Sequence, residues 1–212
     1  MKILDWAQAF LDGARRADWL APLCVRLYLV PVFWMAGWNK YMAFDDTVEW
    51  FGNPEWGLGL PVPGLMASLA TGAELFGAIS LLLGLAVRWM CIPLAFTMFV
   101  AIGAVHWHNG WGAIAEGMGI FSTDRTMMAV ERLNEAKEIL KQAGVYDRLT
   151  EYGSLAILNN GVEFAVTYLL LLLVLFFMGA GRYVSLDWWL GRASPRLNGI
   201  LAANGSMSAG MR

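Results

Sequence analysis

Charge is what this sequence has least of. Asp, Glu, Lys and Arg supply 15% of its 212 residues, whereas 58% are hydrophobic. A soluble domain carries about 25% charged residues, so long stretches here have nothing to offer water. Cysteine is nearly absent too. Cys24 and Cys91 lie far apart and no CxxC occurs, which excludes a zinc ribbon and a thioredoxin-type motif. Haem, flavin and iron–sulfur motifs are also lacking, so the residues alone do not establish electron transfer. A net charge of −2 gives no basic surface for nucleic acid. The first residues lack the basic-then-apolar pattern and small-residue cleavage site of a secretory signal. The apolar segments are therefore expected to act as their own insertion signals.

Long apolar runs are plentiful. Four can cross a hydrocarbon core, which takes about 20 helical residues: 20–42, 63–87, 89–107 and 162–180. Backbone groups in lipid must bond within their own segment, so each reads as helix. Pro31 and Pro93 fall inside two of them. Residues 1–17 place Trp6 and Phe10 on one face, with Asp5, Asp12, Arg15 and Arg16 elsewhere. That pattern predicts an interfacial amphipathic helix. The loop after the first span, rich in Trp, Gly and Pro, holds Asp45, Asp46, Glu49 and Glu55 and no base. The third connection, 109–160, contains Met127, Val130, Leu133, Ala136, Leu140 and Ala143 at three-to-four spacing among mixed charges. It predicts an amphipathic helix over 124–143, starting after Ser122-Thr123 and stopping at Gly144.

The expected fold is all-α: a four-helix transmembrane bundle with an N-terminal interfacial helix and an extra amphipathic helix between the third and fourth spans. It forms a single domain over 1–190, with a disordered tail over 191–212. Lys and Arg near the spans cluster before the first, between the second and third, and after the fourth. This distribution puts both termini in the cytoplasm and the two long loops outside. The expected location is the inner membrane, as a multi-pass protein.

A charge near the bilayer centre costs about 2.5–3.5 kcal/mol on insertion scales, so each one needs a reason. Glu74 lies mid-way along the second span. Trp38, Asn39 and Lys40 lie at the outer end of the first, His106 and His108 at that of the third, and Asn160 and Glu163 at the start of the fourth. Convergent polar groups from several helices are how sites in bundles are made. Lys40 has two candidate partners, Glu74 and Glu163. A desolvated carboxylate beside an imidazole can pass protons at neutral pH, which gives Glu74 and His106 a catalytic reading. Trp38, Asn39, Lys40, Asn160 and Glu163 then bind ligand, and Trp34, Trp38, Trp107 and Trp111 offer walls for a flat ring such as a quinone. The plainer alternatives stay open. Lys40–Glu74 is also a structural ion pair, Glu163 a helix-start acid, and the tryptophans interface anchors. His106 and His108 as ligands for copper or zinc point about 200° apart on a continuing helix, and converge only if the helix ends there.

Several segments in order resemble the DoxX family of membrane proteins. They are Arg26-Leu27, Gly37-Trp38-Asn39-Lys40, Gly59-Leu60-Pro61-Val62-Pro63, Glu74-Leu75-Phe76-Gly77 with Leu82-Leu83-Gly84-Leu85, His106 to Gly110, Asn160-Gly161-Val162-Glu163, and Gly179 to Asp187. The resemblance covers about residues 22–190. It implies a four-helix bundle and, for some members, the membrane subunit of a thiosulfate:quinone oxidoreductase or another redox complex. The inserted helix and the stretch from Tyr146 to Gly153 depart from the short family core. They resemble the HvfX-type branch, which tends to be encoded beside enzymes that modify small metal-handling peptides. Three functional readings follow. The first is a quinone-interacting subunit of a membrane oxidoreductase. The second is a non-enzymatic assembly or docking factor with a protein partner at its outer loops. The third is a metal-stress accessory protein using His106, His108 and the loop residues Met118, Met127 and Met128. The bilayer is a partner in all three, and the residues do not choose between monomer and homo-oligomer.

Overall fold

A computed structural model describes residues 2–193. Among them the architecture is helical throughout, with one isolated bridge between Ile114 and Leu158 and no strand. The described residues divide into two compact units, one formed by residues 2–97 with 168–193, the other by residues 98–167.

The first unit begins with α1 (Lys2–Ala14), whose Trp6 and Phe10 rings stack on an exposed face. α2 (Leu20–Met42) follows, then α3 (Phe44–Gly52) and α4 (Pro63–Leu83). The Trp- and acid-rich connection, expected to be loop, is helical over α3. Asp45 and Asp46 fall in its first turn, where acids suit the helix dipole, and Phe51 is buried. α2 packs on α4 through Gly37, where a Cβ would come within 2.9 Å of Leu75 Cγ and 3.0 Å of Glu74 Cβ. α4 packs in turn on α5 (Val87–Val100) through Gly77, whose added Cβ would meet Leu94 at 2.8 Å.

The second span was expected to run to residue 87, but α4 stops at Leu83. Gly84, at φ 65°, turns the chain, and Ala86 is left-handed as well at φ 51°. α5 then begins two residues earlier than expected. Beyond Val100 its winding loosens into π-helix over Ala101–His106 and tightens to 3-10 over Trp107–Asn109.

The second unit carries α6 (Asp124–Gln142), capped by a reciprocal Thr123–Thr126 box, and the single turn α7 (Tyr146–Leu149). α8 (Glu163–Met178) starts in this unit and continues into the first. Gly179, at φ 78°, follows its last residue. α9 (Leu186–Ala193) belongs to the first unit. Residues 191–193 of the expected disordered tail are therefore helical, because Ser185 accepts a bond from Trp188 N and starts a helix. The rest of that tail, 194–212, lies outside the described residues.

Among the described residues, three helical stretches are long and apolar enough to cross a membrane: Leu20–Met42, Pro63–Leu83 and Val87–Asn109. Glu163–Met178 is apolar but shorter, at 16 residues. At 1.5 Å per residue it spans about 24 Å against a hydrocarbon core of about 30 Å. These helices expose large apolar side chains, including Leu69, Phe76, Phe96 and Phe177. Such a surface belongs in lipid.

Candidate functional site

The first unit holds an ion pair between membrane helices. Lys40 Nζ, from the last turn of α2, donates to Glu74 Oε1 at 2.8 Å and Oε2 at 2.7 Å. Helical side chains lean toward their own N-terminus, so Lys40 reaches back from the end of α2 to a carboxylate about 17 Å into α4 by helical rise. Gly37, one turn before Lys40, lets the two backbones approach closely enough for this. Glu74 is 4% exposed and pairs with this ammonium, so of the two candidates Lys40 takes Glu74 rather than Glu163. Burying two charges is favourable only when each is fully paired, and here both carboxylate oxygens are.

Three residues N-terminal to Glu74 on the same side of α4 lies Thr71. It is buried, and its hydroxyl has no hydrogen-bond partner among the described residues. Nothing in the sequence pattern flags it, since a helical threonine ordinarily bonds back to a carbonyl one turn earlier. Trp38 and Asn39 are exposed. Trp38 stacks with Trp34 and Tyr41 along one face of α2. Trp34, Trp38 and Tyr41 lie about 100–160° around the helix from Lys40, so these rings are not a wall of the Lys40–Glu74 contact.

A second charged centre of this unit was not read from the sequence. Arg26 is fully buried on α2. Its Nη1 donates to Leu81 O at 3.3 Å and its Nη2 to Val184 O, while Nε is buried without a partner. Asp187 is buried as well, and accepts from Ala86 N at 2.7 Å and Val87 N at 3.1 Å, the entry to α5. Burial pushes the Asp187 carboxyl above the usual range, against the pull of those two N–H donors and of the Arg26 charge. Gly84 completes the centre. Its carbonyl accepts from Asp187 N at 2.9 Å, and any Cβ there would run into Arg26 and Ser185.

His106, His108, Asn160 and Glu163 belong to the second unit. His106 Nδ1 lies 2.9 Å from Asn160 O. A carbonyl only accepts, so Nδ1 is the donor in this contact. Asn109 Nδ2 donates to the same carbonyl at 3.0 Å. Asn160 is left-handed at φ 57°, a conformation asparagine tolerates. The turn at Gly110–Ala113 accepts backbone N–H groups from residues 159–163. Gly161 fits because a Cβ would strike the carbonyls of Gly110, Trp111 and Gly112. Buried Asn159 ties the same turn by donating to Asn109 O and Gly112 O, both at 2.7 Å, while its Oδ1 accepts from Arg125. Glu163 Oε2 accepts from Ala113 N at 2.9 Å. His108 and Trp107 are exposed, and Trp111 stacks on Phe121. Among the described residues no three His, Cys, Asp or Glu side chains gather as a metal set. Cys24 and Cys91 are free thiols, the first exposed and the second buried.

Apolar helices that expose their greasy faces, with a paired charge held between two of them, define a multi-pass helical membrane protein. The stretch of residues 21–107 matches the DoxX family model. It contains both Lys40 and Glu74. The chain is also 34% identical over 99 residues to the inner membrane protein YphA of Escherichia coli (strain K12), a match covering 46% of this chain and 65% of that relative. That relative is by its name an inner membrane protein, and among the described residues this chain has three helices long and apolar enough to cross a membrane. No solved structure matches the chain.

Proposed function

We propose that the chain is a quinone-linked subunit of an inner-membrane redox pathway, with both termini cytoplasmic, and that Thr71, Glu74 and Lys40 form its ligand-binding centre. The observation that carries this reading is the orphaned Thr71 hydroxyl beside Glu74. A buried donor without a partner costs about 1–3 kcal/mol, and an intramembrane carboxylate is expensive in addition. A quinone carbonyl accepting from Thr71 would relieve the first cost. Glu74, held by Lys40, would then hold or pass a proton as the ligand changes redox state. Electrons would come from a partner, in keeping with the redox complexes that the family resemblance implies. The HvfX-type resemblance of the third loop favours an exported redox or metal-stress pathway.

The test is quinone binding by purified protein in nanodiscs. Wild-type protein should take up a quinone analogue at one per chain. Thr71→Val, which replaces an unpaired hydroxyl with a methyl, should weaken binding about tenfold, the equivalent of 1.4 kcal/mol, with thermal stability unchanged or raised. If wild type shows no saturable uptake, or Thr71→Val binds as well as wild type, the reading is wrong.

A second reading, a non-catalytic docking factor, is favoured by the second unit. Met118, Ile120 and Tyr152 are each more than nine-tenths exposed there, outside the apolar spans. Under that reading charge substitution at Ile120 would dissociate a native complex, and Glu74→Gln would leave the complex intact.

A further inference from the structure

Within the second unit the 110–126 segment and the first turn of α8 enclose a cavity of about 200 Å³. Its walls are of two kinds. Trp111 and Phe121 stack with ring centres 5.1 Å apart and planes 22° from parallel, and Ile114 extends this apolar side. Glu116 and Glu163 supply carboxylates to the same cavity, and no Lys, Arg or His lines it. Glu163 spends Oε2 on Ala113 N. Thr126, also in the lining, commits its hydroxyl to Thr123. The neighbouring cation, Arg125, is engaged by Asn159 through its carbonyl and Oδ1. Among the described residues no salt bridge reaches Glu116 or Glu163.

We propose that this cavity binds a small organic cation, an ammonium or guanidinium group on a short apolar or aromatic stem. The indole face attracts a cation through its quadrupole. The carboxylates accept charge-assisted hydrogen bonds from the same group. The positive end of the α8 dipole opposes a cation, but Glu163 stands at the first residue of that helix and offsets it. Drug-sized pockets run from about 300 Å³ upward, so the cavity suits one charged head and its stem. Two carboxylates without a third ligand make a poor metal cage, and the aromatic pair would contribute nothing to one. The inference draws on neither Lys40 nor Glu74, so it stands or falls apart from the quinone reading.

The probe is 4-fluorobenzylammonium, followed by fluorine NMR against the full chain in uncharged maltoside micelles, with 4-fluorobenzyl alcohol as neutral isostere. Wild type should bind the ammonium at least about tenfold more tightly than the alcohol, a difference of 1.4 kcal/mol. Glu116→Gln, on an exposed loop, should remove most of that preference, and Glu131→Gln on α6 should keep it. Glu163→Gln should do the same as Glu116→Gln, with circular dichroism checking that the loop remains folded. Phosphatidylethanolamine added to the micelles separates two sources of the ligand. Competition assigns the cation to a lipid headgroup, and absence of competition to a soluble amine; either supports the site. Equal binding of ammonium and alcohol, an unchanged preference in Glu116→Gln, or displacement by magnesium at constant ionic strength would overturn it.

Discussion

The two charged centres of the first unit share one helix and are held in opposite ways. Arg26 and Lys40 are separated by about 21 Å of rise along α2. Lys40 and Glu74 satisfy one another, side chain to side chain. Arg26 and Asp187 are satisfied mainly by backbone. The guanidinium serves carbonyls at Leu81 and Val184, and the carboxylate serves N–H groups at Ala86 and Val87. A pair of the first kind can be removed whole and leave nothing orphaned. A pair of the second kind cannot, because its removal exposes carbonyls at the end of α4 and donors at the start of α5. The Arg26–Asp187 centre is therefore tied to the backbone on both sides, whereas the Lys40–Glu74 centre is satisfied by its two side chains alone.

The sharpest break should come from Arg26→Leu. It leaves the carbonyls of Leu81 and Val184 buried without their donor and takes away the positive charge near buried Asp187, at a cost of about 3–5 kcal/mol. Adding Asp187→Asn should not restore stability in thermal or SDS unfolding followed by tryptophan fluorescence. Lys40→Met comes next, at about 3 kcal/mol, the low end of the same range, because the Lys40 side chain is a quarter exposed. Here the double change Lys40→Met with Glu74→Met should recover most of the loss. Failure of that recovery would erase the distinction between the centres. Gly84→Ala should cost about 1–3 kcal/mol for its left-handed backbone, and more if Arg26 cannot move aside.

The smallest effect is a pH slope. Asp187 holds its proton more tightly folded than unfolded, since burial raises it. Its contribution to stability is thus largest below the ordinary aspartate value and declines as pH rises through the folded one. Asp187→Asn has nothing to titrate, so its melting temperature should fall less over that interval than that of wild type. A parallel pair of curves would contradict the assigned direction.

The helical membrane architecture was legible because lipid penalises charge so heavily that its absence marks the spans. Helix ends were less so. Gly84 lies inside an unbroken apolar run, and its left-handed turn answers to Arg26 and Ser185, which no window of sequence around it contains. α3 was obscured by its tryptophans and acids, whose composition resembles loop although the acids suit its first turn. For the site, Lys40 and Glu74 stood out for the same solvent reason that marked the spans, but their pairing depended on the close approach at Gly37. Thr71 carried no signal, because a threonine in a span is ordinarily self-satisfied. Arg26 and Asp187 entered only through segments of the family resemblance, and they lie too far apart along the chain for any periodicity to join them. The Asn160-Gly161-Val162-Glu163 motif was visible, whereas the turn that clamps it became apparent only from contacts.

The loosened winding at Ala101–His106 has a genetic corollary. A π-turn accommodates one more residue than an α-turn over the same path. Loss of a single codon in this stretch could therefore be absorbed by rewinding, where the same deletion in α4 would misalign Thr71 and Glu74 together. Rewinding would keep His106, at the end of the stretch, in phase with the Asn160 carbonyl, so the segment tolerates a change of length without losing its register.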